Sequence, residues 1–470
     1  MRYAHTVAQV RAAEEPLLAA GEPLMARAAT ALAVAVSRRL PFVYGARVVL
    51  LVGSGNNGAD ALWAGTWLAR RGAAVVAVVV GEPVRDALSA FRRAGGRLGA
   101  AEALRGADVV VDGLVGIGGH GPLRTEAADL ASRAEGFVVA VDVPSGVDAD
   151  TGAVLGRALR ADLTVTFGTL KPGLLLARDH VGEVVVVDLG LDLPRCVAEV
   201  LDAPDVARLL PAAERVSDKY SRGVLGVAAG SQTYTGAAVL SVGAAIRAGA
   251  GMVRFAGAPH AAEHVRSRWP EAVVTEATGG TVLDAGRVQA WVVGPGLGTE
   301  SAETVEAVLT QDLPVLVDAD ALTICAQHRD WLSRRSAPTL LTPHDREFAR
   351  FGHEVGTDRI AAANGLASEL GVHVLLKGDV TVVVGPEGPA RLNPTGSALL
   401  ATAGSGDVLS GGVGALLAQG LGVLDAGSVG AWLHGLAGTL SAAGATTSAT
   451  AVLEAWSAAV RAARAGDSRS

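Results

Sequence analysis

The 470-residue chain has two cysteines, Cys196 and Cys325, and neither sits in a CxxC pattern. One distant pair cannot staple a chain of this length, so a disulfide scaffold and a thiolate metal centre are excluded and a reducing compartment, the cytoplasm, is expected. A basic excess is also missing. Forty Lys and Arg stand against 47 Asp and Glu, a formal charge of −7, the wrong sign for general binding to a phosphate backbone, so no nucleic-acid partner is expected. Residues 1–16 lack the apolar core of a secretion signal. The longest weakly polar stretch, 408–424, is rich in glycine, carries Gln419 and ends at Asp425. It reads as a packed helix and turn, and no membrane association is expected. Neither GxxxxGK[ST] nor the kinase DFG occurs, which removes P-loop NTPases and protein kinases. What remains is 50% hydrophobic and 19% charged, a composition that buries enough apolar surface to fold. At roughly 100–200 residues per domain, it predicts about two to four domains.

Lysine is scarce too: of the 40 basic residues only Lys171, Lys219 and Lys377 are lysine. All three lie beside Gly-rich or motif-like segments. A compact ammonium and a planar guanidinium are not interchangeable at polar sites, so these positions rank as functional candidates.

Short Val/Leu/Ile runs alternate with Ala-rich helical stretches throughout, the pattern of parallel sheets with helices on both faces. In the first half, 47–52, 74–80, 108–111, 137–141, 163–167 and 184–187 read as strands, preceded by two helices within 7–40 that break around Gly21-Glu22-Pro23. Residues 189–215, with Pro194, Pro204 and Pro211, lose the pattern and mark a boundary. A second series follows: 224–228, 252–256, 290–293, 314–317, 339–341, 373–376 and 381–384, then a long helical C-terminus with a disordered tail from 466. The expectation is two α/β domains, 1–203 and 204–470.

In the first domain a strand runs into Gly53-Ser54-Gly55-Asn56-Asn57-Gly58, with a helix expected over 59–70. Taken alone this is a dinucleotide fingerprint, with Glu82 as a candidate ribose partner, and it keeps a nicotinamide-dependent oxidoreductase in view. Asn56, Asn57 and Asp60 argue otherwise, because a pyrophosphate prefers bare N–H groups without a nearby anion. Asp60, Asp112 and Asp142 are each expected just beyond a strand, where α/β sheets bind ligands, although a cap or turn role explains such an Asp equally well. Amide, hydroxyl and carboxylate oxygens together suit a monovalent cation.

The segments Gly55-Asn56-Asn57-Gly58, Val111-Asp112-Gly113, Gly121-Pro122-Leu123-Arg124, Val141-Asp142-Val143-Pro144-Ser145-Gly146 and Thr166-Phe167-Gly168-Thr169-Leu170-Lys171-Pro172-Gly173 closely resemble the NAD(P)H-hydrate epimerase family over about residues 1–195. The resemblance implies a Rossmann-like three-layer domain. It assigns the hydrated nucleotide to Asn56, Asn57, Gly58, Ala59 and Asp60, to the loop Gly116, Ile117, Gly118, Gly119, His120, Gly121 and Pro122, and to Asp142. It assigns potassium to Asn57, Asp112 and Ser145. The family usually has glycine where this chain has Ala59 and Ala61. Epimerising a ring carbon that bears a hydroxyl beside nitrogen needs proton transfer and no redox centre. Asp142 is the candidate acid or base, with Lys171 orienting substrate beside it.

In the second domain Ala403-Gly404-Ser405-Gly406-Asp407 opens onto an apolar helix over 408–419. Such a loop turns successive N–H groups on a phosphate, and Asp407 is placed to take a proton from an attacking hydroxyl. The loop resembles the ribokinase-like superfamily. With Gly230 to Ala238, Ala248 to Val253, Gly294 to Gly298, Asp318-Ala319-Asp320-Ala321-Leu322, Thr342 to Phe348 and Leu376-Lys377-Gly378, the segment 204–460 looks like the NAD(P)H-hydrate dehydratase family. The resemblance implies a ribokinase-like three-layer domain and ADP as phosphoryl donor with magnesium. Lys377, Gly378, Asp379, Val380, Thr381 and Gly406 would bind ADP, and Ala237, Gly296, His344 and Asp407 would bind the hydrate. Asp407 would be the base. Lys219 is left between reaching a phosphate and capping the domain start.

The resulting expectation is a bifunctional repair enzyme acting on small molecules, as a homo-oligomer. A ribokinase-like kinase of a vitamin or sugar alcohol, with a regulatory nucleotide-binding domain, is the alternative.

Overall fold

The computed structural model describes residues 1–211 and 220–467. Lys219 and residues 468–470 lie outside them. The chain divides into two compact units, Tyr3–Ala198 and Glu199–Ser470, the latter together with Met1–Arg2.

The first unit is built on a parallel sheet in the order Arg97–Leu98, Ala74–Val79, Arg47–Val52, Val109–Gly113, Phe137–Val141, Leu163–Phe167, Glu183–Val187. The central strands are buried on both faces, which is why they read as unbroken apolar runs. One face packs Leu32, Leu50, Leu62 and Phe91, and the other packs Leu51, Val110, Leu130 and Val138. The helices Val7–Ala19 and Leu24–Ser37 break at Gly21 to Pro23 as expected. Strand order reverses at Arg47–Val52, which pairs with Ala74–Val79 on one side and Val109–Gly113 on the other. Loops leaving the carboxyl ends of two such strands diverge and open a crevice.

The second unit has the strand order Val273–Glu276, Met252–Gly257, Val224–Ala228, Ala290–Val293, Val315–Val317, Thr339–Leu341, His373–Leu376, Thr381–Val384, Ala390–Asn393. Its sheet is not wholly parallel. His373–Leu376 to Thr381–Val384 and Thr381–Val384 to Ala390–Asn393 are antiparallel, because the four and five residues linking them are too few for a crossover helix. Three short strands, Arg97–Leu98, Val273–Glu276 and Ala390–Asn393, escape the sequence pattern because polar residues interrupt them. The patternless 189–215 carries a strand, Ala198–Val200, and a helix, Ala203–Leu209. The C-terminal helix is Ala449–Asp467, so Gly466 and Asp467, expected in a disordered tail, are helical, and the rest of that expected tail lies outside the described residues.

Helix Ser405–Ala418 is buried almost throughout, against Thr235–Arg247 and the sheet. Its glycines permit that approach: a Cβ at Gly411 would fall 2.1 Å from the Ser241 carbonyl oxygen, and one at Gly412 2.1 Å from the Trp456 ring. Gly411→Ala therefore forces two helix backbones apart. It is expected to destabilise the second unit by about 1–3 kcal/mol, read as a lowered thermal transition by calorimetry, and an unchanged transition would refute this packing constraint.

Candidate active sites

The helix following Arg47–Val52 begins at Asn56, earlier than expected, with Gly55 as its N-cap. Asp60 accordingly lies inside this helix, and Asp112 lies within strand Val109–Gly113, so of the three carboxylates only Asp142 stands just past a strand. The fingerprint glycines serve packing here: a Cβ at Gly58 would meet the Gly53 carbonyl oxygen at 2.1 Å. Ala59 and Ala61 are fully buried and their methyl groups pack in the core beneath the helix.

Asn57 spans the crevice floor. Its Nδ2 donates to the Val141 carbonyl at 2.8 Å, and Gly116 lies so close that a Cβ there would fall 2.3 Å from its Oδ1. Asp112 is wholly buried and accepts from Ser145 Oγ at 2.7 Å, Ser145 N at 2.8 Å and Leu114 N at 3.2 Å. Burial pushes its carboxyl up, and the Ser145 and Leu114 donors oppose that. Ser145 Oγ also lies 3.1 Å from the Val115 carbonyl oxygen. Asn57, Asp112, Ser145 and Val115 thus offer a hard, all-oxygen donor set with one carboxylate, which fits a monovalent cation. Among the described residues there is no cluster of three or more His, Cys, Asp or Glu side chains for a metal. The loop from Gly116 to Pro122 is partly open to solvent. His120 is 73% exposed, with Nδ1 3.8 Å from Asp148 Oδ2.

Asp142 has φ of 65°, left-handed for a non-glycine residue, a conformation costing roughly 1–2 kcal/mol. It is held there by donors converging on Oδ1: Lys171 Nζ at 2.6 Å, Thr166 Oγ1 at 2.9 Å and Phe167 N at 3.4 Å. Lys171 is 1% exposed and completes its hydrogen bonds with Thr166 Oγ1 at 2.9 Å and the Phe167 carbonyl at 2.8 Å. Asp60 is also buried, and its Oδ1 meets no partner among the described residues. Burial, with the Asp142 and Glu14 carboxylates nearby, raises its pKa to about 8. Neutral at pH 7, it can donate a proton.

In the second unit Gly404 adopts φ of 86° and turns the chain into helix Ser405–Ala418. The first-turn N–H groups and the helix dipole form an anion site there. Beside it, Lys377 Nζ donates to Asp318 Oδ1 at 2.8 Å and lies 3.4 Å from Glu347 Oε2, while Ser410 Oγ donates to Asp318 Oδ2 at 2.6 Å. A Cβ at Gly406 would lie 3.7 Å from Lys377 Nζ. Burial alone would raise the Asp318 carboxyl, but the Lys377 ammonium and the Ser410 and Thr342 hydroxyls hold it below its ordinary range. Asp407 goes the other way. Burial and the Asp318 charge raise it to about 7, with Lys377 in partial opposition. His434, fully buried 3.4 Å from Ser405 Oγ, is lowered by burial to about 4 and stays neutral.

His344 caps helix Asp345–Ala349: its Nδ1 accepts the Glu347 N–H at 3.1 Å, and Glu347 returns a bond to His344 N at 2.9 Å. Because Nδ1 is an acceptor, the ring proton sits on Nε2, leaving a donor on a half-exposed ring. Ala237 and Gly296 are adjacent, a Cβ on Gly296 falling 2.8 Å from the Ala237 Cβ. Gly378 lies against the Arg359 guanidinium, Asp379 presents its carbonyl to Gly396, the Val380 side chain is buried, and Thr381 opens a strand.

Glu14, Thr166, Asp318, Glu347 and Ser410 received no role from the sequence. Asp318 and Glu347 lie inside quoted motifs, and their common partner Lys377 was itself a candidate, but the pairing spans tens of residues and left no local signal. Glu14 belongs to no motif.

Residues 21–173 match the family described as YjeF-related protein N-terminus, and residues 225–458 match NAD(P)H-hydrate dehydratase. The chain is 51% identical over 408 residues to the bifunctional NAD(P)H-hydrate repair enzyme Nnr of Mycobacterium tuberculosis, covering 84% of each chain. It is 34% identical to the enzyme of the same name from Corynebacterium glutamicum, covering 82% of this chain and 81% of that one. Among solved structures, the ADP/ATP-dependent NAD(P)H-hydrate dehydratase of Bacillus subtilis, co-crystallised with ATP and Mg²⁺, aligns with 56% of this chain and 97% of its own at 29% identity and a TM-score of 0.50. A ribokinase-like superfamily protein of Enterococcus faecalis aligns with 58% of this chain and 98% of its own at 24% identity and a TM-score of 0.52, a likeness of fold. These matches favour repair over the small-molecule kinase and the oxidoreductase. With both halves matched in order, the chain belongs to the bifunctional NAD(P)H-hydrate repair enzyme family.

Proposed function

We propose that the first unit interconverts the R and S hydrates of NADH and NADPH, and that the second dehydrates the S hydrate to NAD(P)H at the expense of ADP, giving AMP and phosphate. The observation that carries this reading is the match of one chain to both families. An aspartate in ion pair with a buried or partly buried lysine at each strand-end site supports it.

In the first unit the hydrated ring lies among Asn56, Asn57, Gly58, Ala59 and Asp60, the loop from Gly116 to Pro122, Asp142 and Lys171. Ala59, with its side chain in the core, contributes backbone only. Asn57, Asp112 and Ser145 would hold potassium, which would supply a fixed positive charge. Asp142 exchanges protons with the substrate hydroxyl, and Lys171 holds its carboxylate in place.

In the second unit Lys377, Gly378, Asp379, Val380, Thr381 and Gly406 hold ADP, with Val380 offering its backbone. Ala237, Gly296, His344 and Asp407 hold the hydrate, His344 through its Nε2 proton. Asp407 takes the hydroxyl proton as the oxygen attacks the terminal phosphate of ADP and AMP leaves. Loss of that phosphate and of a ring proton then restores the dihydronicotinamide. Magnesium, when bound, would neutralise the phosphates of the nucleotide. A cytoplasmic location and a homo-oligomeric assembly belong to the same reading. Among the described residues no single helix is long and apolar enough to cross a membrane.

Recovery of NADH absorbance from a mixture of epimers tests both activities. With ADP the wild type is expected to recover all of it. Asp407→Asn should slow dehydration by about 10²–10⁴-fold with interconversion intact, and near-normal dehydration by it would refute the base assignment. Asp142→Ala should stall recovery once the S hydrate is consumed, and complete recovery at the wild-type rate would remove Asp142 from the epimerase. Because Asp407 must be ionised to accept a proton, the dehydration rate is expected to rise as pH climbs through about 7 and then level off. A rate independent of pH there would assign the base elsewhere.

A further inference from the structure

Two further acids of the first unit lie near the buried pair of Asp142 and Lys171. Asp142 takes Lys171 Nζ directly at 2.6 Å, and Asp60 and Glu14 are the two acids near Asp142. Glu14 comes from helix Val7–Ala19, whose start is moored beside Lys171: His5 N donates to the Leu170 carbonyl at 2.9 Å, and His5 Nδ1 lies 2.9 Å from Thr169 Oγ1. One turn before Glu14, Arg11 reaches the Gly116 to Pro122 loop, where a Cβ on Gly118 would lie 3.2 Å from its Nη2. The helix therefore brings Arg11 to the Gly116 to Pro122 loop and Glu14 to the pair of Asp142 and Lys171. It precedes residues 21–173, the segment matched by the family description.

The charges facing Asp60 are Asp142 and Glu14, with Lys171 and Arg11 beyond them. Lys171 is committed to Asp142, and Asp60 Oδ1 is buried without a partner among the described residues. A buried carboxyl without a partner keeps its proton, and such an acid beside a carboxylate that is tied to an ammonium marks a donor and an acceptor. Resting on the epimerase reading above, we propose that Asp60 is the proton donor of the epimerisation opposite Asp142 as acceptor, with Glu14 the positioning charge that maintains this division. Asp60 protonates the hydroxyl on the ring carbon beside nitrogen. The C–O bond breaks, water leaves, and the nitrogen lone pair forms a C=N bond. Water adds to the opposite face, a new C–O bond forms, and its surplus proton passes to Asp142, whose Oδ2 is not engaged by Lys171. Exchange with solvent moves the proton from Asp142 back to Asp60 before the next turnover, and in the reverse reaction Asp142 donates and Asp60 accepts.

The test follows interconversion of purified R and S hydrates by chromatography in the full-length wild type, Asp60→Asn and Glu14→Gln. Asp60→Asn is expected to slow interconversion by about 10²–10⁴-fold while leaving ADP-dependent dehydration of the S hydrate unchanged. The wild-type rate should fall as pH rises through about 8, and Glu14→Gln, by removing a negative neighbour, should move that fall to lower pH. An infrared band of a protonated carboxyl at neutral pH should vanish in Asp60→Asn, a readout independent of turnover. Interconversion by Asp60→Asn within tenfold of wild type, an unmoved alkaline limb in Glu14→Gln, or no such band in the wild type would each overturn the assignment. A wild type that fails to interconvert the hydrates would overturn the epimerase reading itself, and the donor with it.

Discussion

Both sites depend on an aspartate at the carboxyl end of a parallel strand whose charge is matched by a single lysine. Lys171 meets Asp142 at 2.6 Å and Lys377 meets Asp318 at 2.8 Å. Breaking a buried pair by removing one partner costs about 3–5 kcal/mol, because the other charge is left uncompensated in low dielectric. An ammonium is suited to this task. Lys171 spends its three protons on Asp142, Thr166 and the Phe167 carbonyl, a compact cluster that a planar guanidinium cannot enter. That explains why a chain which otherwise uses arginine keeps lysine here.

Each pair also stands beside strained backbone. Asp142 has φ of 65°, and Ala319, between Asp318 and Asp320, has φ of 50°. The second kink turns neighbouring carboxylates to different tasks: Asp318 faces Lys377 and Ser410, while Asp320 accepts the Gly298 N–H at 2.9 Å. Strain of roughly 1–3 kcal/mol persists only where surrounding bonds over-determine it, and here those bonds belong to the site.

The paired charges also set up their neighbours. Asp318, kept ionised by Lys377, helps to raise Asp407, and Asp142, kept in place by Lys171, helps to raise Asp60. In each unit one carboxylate is tied to a lysine and another is brought within reach of protonation at neutral pH. Proton transfer at pH 7 requires that division.

Much of this was legible in the chain itself. Apolar runs of three to seven residues, alternating with Ala-rich stretches, suffice to identify two α/β units, because strands buried on both faces are built mostly from apolar residues. The scarcity of lysine marks Lys171 and Lys377, and the Gly404 to Asp407 segment marks a helix N-terminus beside an acid. Other features depend on distance in space. The antiparallel end of the second sheet follows from links too short to cross over, and Ala390–Asn393 is too polar to advertise itself as a strand. Ala59 and Ala61 were visible as departures from a motif, but only helix packing puts their methyl groups in the core. Asp318 and Glu347 acquire meaning from Lys377, and Glu14 from a helix moored at Leu170. The sequence by itself determined which residue types were available and which elements they would form. The tertiary structure decided which carboxylates meet an ammonium and which stay protonated, because that depends on burial and on charges brought together from distant parts of the chain.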